Sequence, residues 1–243
     1  MARTGLARAL SKMGHCSRSQ GVSLIKAGRV TINGTVARDP EKPVEVGRDL
    51  LRVDGVPLTA AKSVYVMLNK PRGLVTTASD EQGRDTVFEC LKDETFPHIS
   101  PVGRLDKASE GLLLFTNDNA WADQITNPVT HLPKTYHVQV GGLIDETMLS
   151  RLKRGVVHEG EKLTLLSVTK LREGEKNTWL EIILDEGRNR HIRRVLEAHN
   201  IETLRLIRVA VGDLVLGKLG KGSWRHLTAR EVTQMSAARH VAP

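Results

Sequence analysis

The stretch Ser100–Asp118, SPVGRLDKASEGLLLFTND, places four consecutive large apolar residues, Leu112 to Phe115, directly after a glycine and a loop that carries one aspartate. An apolar run without polar alternation suits a short strand buried on both faces, so this segment predicts the middle of a covered sheet. Working outward, strand-like segments recur at VYVMLNKPRGLVTT, KTYHVQVGG, LTLLSVTKL, TWLEIILDEG and IETLRLIRVAVGDLVL. Helical patterns between them are fewer: about residues 119–126, DETMLSRLKRG and NRHIRRVLEAHN. Regular βαβ alternation is absent, which predicts an α+β domain on a mixed or antiparallel sheet flanked by helices.

Residues 1–60 read differently. Leu6, Leu10 and Met13 recur at helical spacing, Ser17 is placed to cap a second helix through Val22, Leu24 and Ile25, and Gly28 is placed to end it. Asn33-Gly34 and Asp54-Gly55 each separate two short strand-like runs, which is the signature of a tight hairpin. Two basic helices on a hairpin are therefore expected, joined by the polar segment Thr59–Ser63 to a second domain over residues 64–243.

The 243 residues carry a formal net charge of +8, with six basic residues between Met1 and Arg29 and no acidic one before Asp39. That balance points to a polyanionic partner. Aromatics make up only 3%, so phosphate contacts should outweigh base stacking. No apolar run approaches a membrane span, and the Arg-rich start runs into an ordered-looking motif rather than a signal or transit peptide. Cys16 and Cys90 give neither a disulfide framework nor a metal cluster, so a reducing cytoplasm is expected.

Asp106 is the first candidate for chemistry. Gly103 and Gly111 bracket its loop, and Arg104 stands two residues before it. The motif alone leaves two readings equal: a structural ion pair at a turn, or a reactive carboxylate held ionised by an arginine. Other chemistries fit poorly, because no second carboxylate stands out and no G-x-S-x-G elbow, no helical histidine pair and no nucleotide-type glycine loop is present. No cofactor and no metal is expected.

The same stretch, read as GRLDKASEGLLLFTND, resembles the second motif of bacterial ribosomal RNA pseudouridine synthases of the RsuA family, with Ser109 in place of the usual Thr and Asn119 in place of the usual Gly. LPKTYHVQVGG resembles the family's K-x-Y-x-V block, and LDEGRNRHIRRVLEAHN its E-G-R-N-R-Q-V-R-R-M block, with His191 for Gln and Val195 for Met. SRSQGVSLIKAGRVTINGTVA, in turn, is similar to the small RNA-binding domain of the fourth small-subunit ribosomal protein. The resemblance implies that Asp106 acts on the target uridine, that Tyr136 stacks on the base and assists at C5, and that Arg193 is held against Asp106. By the same resemblance Arg104 pairs with the aspartate or with the backbone of the flipped nucleotide.

RNA contacts are expected from Arg3, Arg18, Lys26, Arg29, Lys70, Arg188, Arg190 and Arg194, the last three with a solvated helix face as the alternative. Isomerising uridine needs no redox group, only a base or nucleophile near C1′ and a closed pocket. Whether Asp106 attacks the sugar, attacks C6 or removes the C2′ proton is left open. The implied partner is ribosomal RNA, with large-subunit RNA preferred over small-subunit RNA and a monomer as the working form. The competing reading is a non-catalytic RNA-binding assembly factor.

Overall fold

The computed structural model describes residues 3–59, 61–78 and 80–237. The chain divides into two compact units. The first comprises Met1–Tyr65 with Glu94–Ser100 and Phe115–Ala120, so it takes in two short segments from beyond the expected boundary; the second holds the remainder.

In the first unit, strand β1 (Thr4–Gly5) precedes helices α1 (Leu6–Lys12) and α2 (Arg18–Lys26). Ser17 caps α2 as its position suggests. Its hydroxyl accepts from the Gln20 amide while the Gln20 side chain accepts from the Ser17 amide, which satisfies two otherwise orphaned donors. Gly28, at φ +74, ends that turn. Strands β2 (Val30–Ile32) and β3 (Thr35–Ala37) then form a hairpin whose corner residues Asn33 and Gly34 both have positive φ. Strand β4 (Pro43–Val44) pairs with β1, and β5 (Leu51–Val53) with β6 (Val56–Pro57) repeats the hairpin device at Asp54-Gly55. Leu6, Leu10, Ile25, Val30 and Leu51 pack into one apolar core, leaving the basic side chains of both helices outside.

The second unit is built on a sheet with nine strands among the described residues. Apart from Tyr65, Ser100, Phe115, Thr116, Asn119 and Ala120, which cluster with the first unit, it holds β7 (Tyr65–Lys70), β8 (Ser100–Val102) and β9 (Glu110–Thr116), followed by helix α3 (Asn119–Thr126). Strand β10 (Lys134–Gly141) leads to α4 (Glu146–Arg154), capped by Asp145 and ended by Gly155, and to the hairpin of β11 (Val156–His158) and β12 (Glu161–Leu163). Strands β13 (Ser167–Glu173) and β14 (Asn177–Leu184), helix α5 (His191–Glu197), and strands β15 (Thr203–Val211), β16 (Leu214–Val215) and β17 (Trp224–His226) follow, and α6 (Ala229–Ala237) closes the described chain.

The sheet order is β13-β14-β10-β15-β9-β7-β17; the pairs from β13 to β15 and the β7–β17 pair are antiparallel, while β9 runs parallel to β15. All seven residues of β9 are buried, as its apolar run requires. Each of the four large side chains Leu112–Phe115 contributes on the order of 2 kcal/mol by leaving water. Gly111 permits the parallel pairing: at φ +103, a Cβ there would lie 2.2 Å from the Arg208 carbonyl oxygen.

Two expected strands differ. LTLLSVTKL is divided between β12 and β13, because Glu161–Leu163 pairs with β11 outside the main sheet. IETLRLIRVAVGDLVL folds back at Gly212, φ +54, into β15 and β16. The expected helix NRHIRRVLEAHN shortens to His191–Glu197, since Arg190 and Asn200 both adopt left-handed backbone.

Candidate active site

On one face of the sheet, Asp106, Arg104, Tyr136 and Arg193 line a single cleft of about 650 Å³, within the roughly 300–1,000 Å³ usual for ligand pockets. The aspartate comes from the loop before β9, the tyrosine from β10 and Arg193 from α5. Alternation along β10 sends Tyr136 to the cleft face beside its cross-strand partner Arg208 on β15.

The Asp106 loop is fixed by its main chain. The Ser109 amide donates to the Asp106 carbonyl at 2.9 Å, closing a turn. Thr76 Oγ1 donates to the Leu105 carbonyl at 2.7 Å and accepts from the Leu105 amide at 3.3 Å, and the Gly73 amide donates to Lys107. Beneath the loop lies Lys70, with no solvent exposure. Its Nζ donates to the carbonyls of Ser109 (2.8 Å), Pro71 (3.1 Å) and Asp106 (3.2 Å). Burial pulls this ammonium down to about 8, while the charges of Asp106 and Glu110 act in the opposite direction. Lys70, expected among the RNA contacts, is therefore corrected to a buried anchor of the loop, because β7 is covered on both faces and its last side chain turns inward.

Behind the loop, Glu110 is 2% exposed and accepts both Nε and Nη2 of Arg205 at 3.0 and 3.1 Å. Burial raises this carboxyl, but Arg205 and Lys221 outweigh it and hold the group below its ordinary value. That pair ties β9 to β15 directly after the Asp106 loop.

Arg104 is exposed and, among the described residues, forms no ion pair with Asp106. The structural turn pair is thus not formed, and Arg104 is left at the cleft's solvent side. Arg193 is half-buried, and its Nη2 donates to the Ala108 carbonyl at 3.3 Å. Burial and the neighbouring Arg190 hold its guanidinium below the ordinary value, with Asp106 pulling it back up. Its Nε is buried without a partner. The expected direct pairing with Asp106 is replaced by this backbone contact two residues along the same loop.

The remaining cations divide in two. Arg3, Arg18, Lys26 and Arg29 are exposed on the first unit; Arg18 pairs with Glu41 at 3.2 Å and Arg29 forks onto Asp54. Arg188 and Arg190 are exposed at the cleft, and Arg188 pairs with Glu186 at 2.9 Å. Arg194, expected on an RNA or solvent face, is corrected to a structural ion pair: its Nη1 lies 2.6 Å from Glu161 and its Nη2 donates to the His158 carbonyl. The β11–β12 hairpin supplies both partners.

Lys134 and Arg208 also line the cleft, and the sequence reading did not single them out. The signal available was Lys134 two residues before Tyr136, which puts both on one strand face. No group of three or more His, Cys, Asp or Glu side chains able to hold a metal occurs among the described residues.

Comparison with known proteins gives the following. The family model described as RNA pseudouridylate synthase matches residues 64–198, and the S4 domain model matches residues 4–50. An uncharacterized RNA pseudouridine synthase of Aquifex aeolicus is 39% identical over 94% of this chain and 92% of its own. The Bacillus subtilis ribosomal large subunit pseudouridine synthase B is 35% identical over 96% and 95%. A crystal structure of a pseudouridylate synthase superposes with a TM-score of 0.65 at 27% identity, covering 97% of this chain and all of that one.

Proposed function

The chain belongs to the RNA pseudouridylate synthase family, and from that premise we propose that it isomerises a specific uridine of large-subunit ribosomal RNA, with Asp106 as the essential carboxylate. The observation that carries the assignment of the residue is the convergence of Asp106, Tyr136 and Arg193 from three separate elements on one cleft, around a loop whose backbone is tied down at Leu105, Asp106, Lys107 and Ser109. A loop so fixed presents its carboxylate without reorganisation.

Removing a uridine from its stack costs a few kcal/mol. Exposed cations offset that cost by binding phosphate: Arg3, Arg18, Lys26 and Arg29 in an RNA-binding module over residues 1–60, and Arg104, Arg188 and Arg190 at the cleft of a catalytic domain over residues 64–243. Tyr136 supplies a ring for the extruded base, and Arg193 supplies positive charge beside the Asp106 loop. The preference for the large subunit rests on relatives named for that activity, such as the Bacillus subtilis protein. The protein acts as a monomer in the cytoplasm without a nucleotide cofactor.

Asp106→Asn assayed on ribosomal RNA transcripts tests the reading. Pseudouridine formation is expected to disappear while affinity for RNA stays within a few-fold. Substantial residual turnover refutes the role of the carboxylate.

A further inference from the structure

Two cations in the cleft have no role in the account so far. Lys134, on β10, lies two residues from Tyr136 on the same strand face, and Arg208 is Tyr136's partner in register across β15. Both line the cleft. Arg208 is only 7% exposed. Its Nε is committed to the Leu112 carbonyl at 2.7 Å, and no carboxylate lies within 4 Å of its guanidinium among the described residues. Lys134 likewise lacks an ion pair among the described residues; the nearby Asp185 is 3.1 Å from His131 Nδ1 instead.

Burial lowers the Lys134 ammonium below its ordinary value, and the charge of Arg208 lowers it further, with Asp185 acting the other way. The surroundings are apolar: Leu114, Leu184 and Val211 share the lining. Two neighbouring cations in a partly dry wall, with Asp106, Asp185 and Glu186 nearby but no carboxylate in ion-pairing contact among the described residues, raise the energy of the empty protein. Such an arrangement is stable in use only if a ligand brings the missing negative charge or strong acceptors.

We propose that Lys134 and Arg208 form a cationic floor for the base itself, donating to the carbonyl oxygens of the flipped uracil and holding its negative charge while the bond to the sugar is open. The inference rests on the pseudouridine synthase reading and adds a specificity and charge-stabilising site to it. When the N1–C1′ bond breaks, the electron pair stays on the base, spread over N1 and the carbonyl oxygens O2 and O4. C5 then supplies a pair to C1′, C5 gives up its proton and N1 takes one, so the atoms balance. Donors aimed at the carbonyl oxygens bind the transient anion more tightly than the neutral base, which is what accelerates a step.

Position favours the base over a phosphate as the occupant. Phosphates of a flipped nucleotide stay toward the solvent side of a cleft, where the exposed Arg104, Arg188 and Arg190 stand. Lys134 and Arg208 instead flank the tyrosine on the sheet and are less exposed than those arginines. They also discriminate: cytosine turns an amino donor toward two cations where uracil turns an oxygen.

The test measures single-turnover rate and RNA affinity for the full-length wild type, Lys134→Met, Lys134→Arg and Arg208→Lys on a ribosomal RNA transcript, with thermal melts as folding controls. Lys134→Met is expected to slow the chemical step by roughly 100-fold, the size of one lost donor to a developing charge, with affinity changed less than 3-fold. Lys134→Arg is expected to recover most of the rate, which a merely space-filling role would not explain. Arg208→Lys, which keeps the charge but loses the Nε bond to the Leu112 carbonyl, is expected to fall between. A phosphate site would give the opposite split: unchanged rate, weaker affinity and a salt slope reduced by about one per cation. That result, or a Lys134→Met enzyme indistinguishable from wild type, overturns the inference alone. A wild type that forms no pseudouridine on any ribosomal transcript overturns the function and this inference together.

Discussion

Replacing Lys70 by methionine probes how the Asp106 loop is held. The side chain is fully enclosed, and each of its donors meets a carbonyl, two of them in the Asp106 loop. Burial sets its pKa at about 8 against an ordinary 10.5. That gap is worth roughly 3 kcal/mol of differential stability. The direction follows from proton counting. Below pH 8 the lysine is protonated in both folded and unfolded chains and contributes no slope. Between about pH 8 and 10.5 the unfolded chain keeps a proton that the folded chain has lost, so this group makes stability rise with pH.

Methionine is of similar length and does not titrate. The stability of wild type minus that of Lys70→Met, from urea unfolding at fixed temperature, should therefore climb by up to about 3 kcal/mol across that window and be flat below it. The variant also takes the ammonium donor from the Ser109 carbonyl and leaves the Asp106 carbonyl with the Ser109 amide alone. A loop displaced by even an ångström costs on the order of 100-fold in rate, so single-turnover pseudouridine formation should drop by about that factor while the fold persists. A pH-independent difference, or full activity in Lys70→Met, would refute the anchoring role.

Other expectations follow from the same geometry. Gly111→Ala puts a Cβ 2.2 Å from the Arg208 carbonyl oxygen at φ +103, so denaturant unfolding should report a loss above about 3 kcal/mol; a loss below 1 kcal/mol would mean that β9 and β15 separate more easily than their pairing indicates. Ser17→Ala removes one half of the capping box on α2 and should cost about 1 kcal/mol, read in the same way, with no change in catalytic rate. The double variant Arg18→Gln, Arg29→Gln should weaken RNA binding and lower the slope of log affinity against log salt by about two, with single-turnover rate at saturation unchanged. An unaltered slope would remove these two side chains from the RNA face.

Much of the fold was legible because local chemistry and global packing agree. The Asn33-Gly34 and Asp54-Gly55 corners, the Ser17 cap, the Gly28 stop and the buried run Leu112–Phe115 each have one low-energy solution, and the structure adopts it. What the sequence hid lies in long-range geometry. Strands β11, β12 and β17 are each three residues long, too short to show a period, and α6 follows a turn-rich segment without a strong apolar stripe. Lys70 reads as a surface cation before a proline, because nothing local reveals that β7 is covered on both faces.

The candidate site divides in the same way. Asp106, Tyr136 and Arg193 were legible only through their motifs, and the cleft brings them together. Their immediate partners were not. Arg193 contacts Ala108 rather than the carboxylate, Arg104 stays on the solvent side, and Arg194 turns to a hairpin more than 30 residues away in sequence. Lys134 and Arg208 meet only because β10 and β15, some 70 residues apart in sequence, are neighbours in the sheet.

The most direct test of the central claim is a map of pseudouridines across ribosomal RNA from cells lacking this protein, complemented with either wild type or Asp106→Asn. One large-subunit position should lose its pseudouridine in the deletion, regain it with wild type and stay unmodified with Asp106→Asn. A deletion map identical to that of the parent cells, or restoration by Asp106→Asn, would contradict the account.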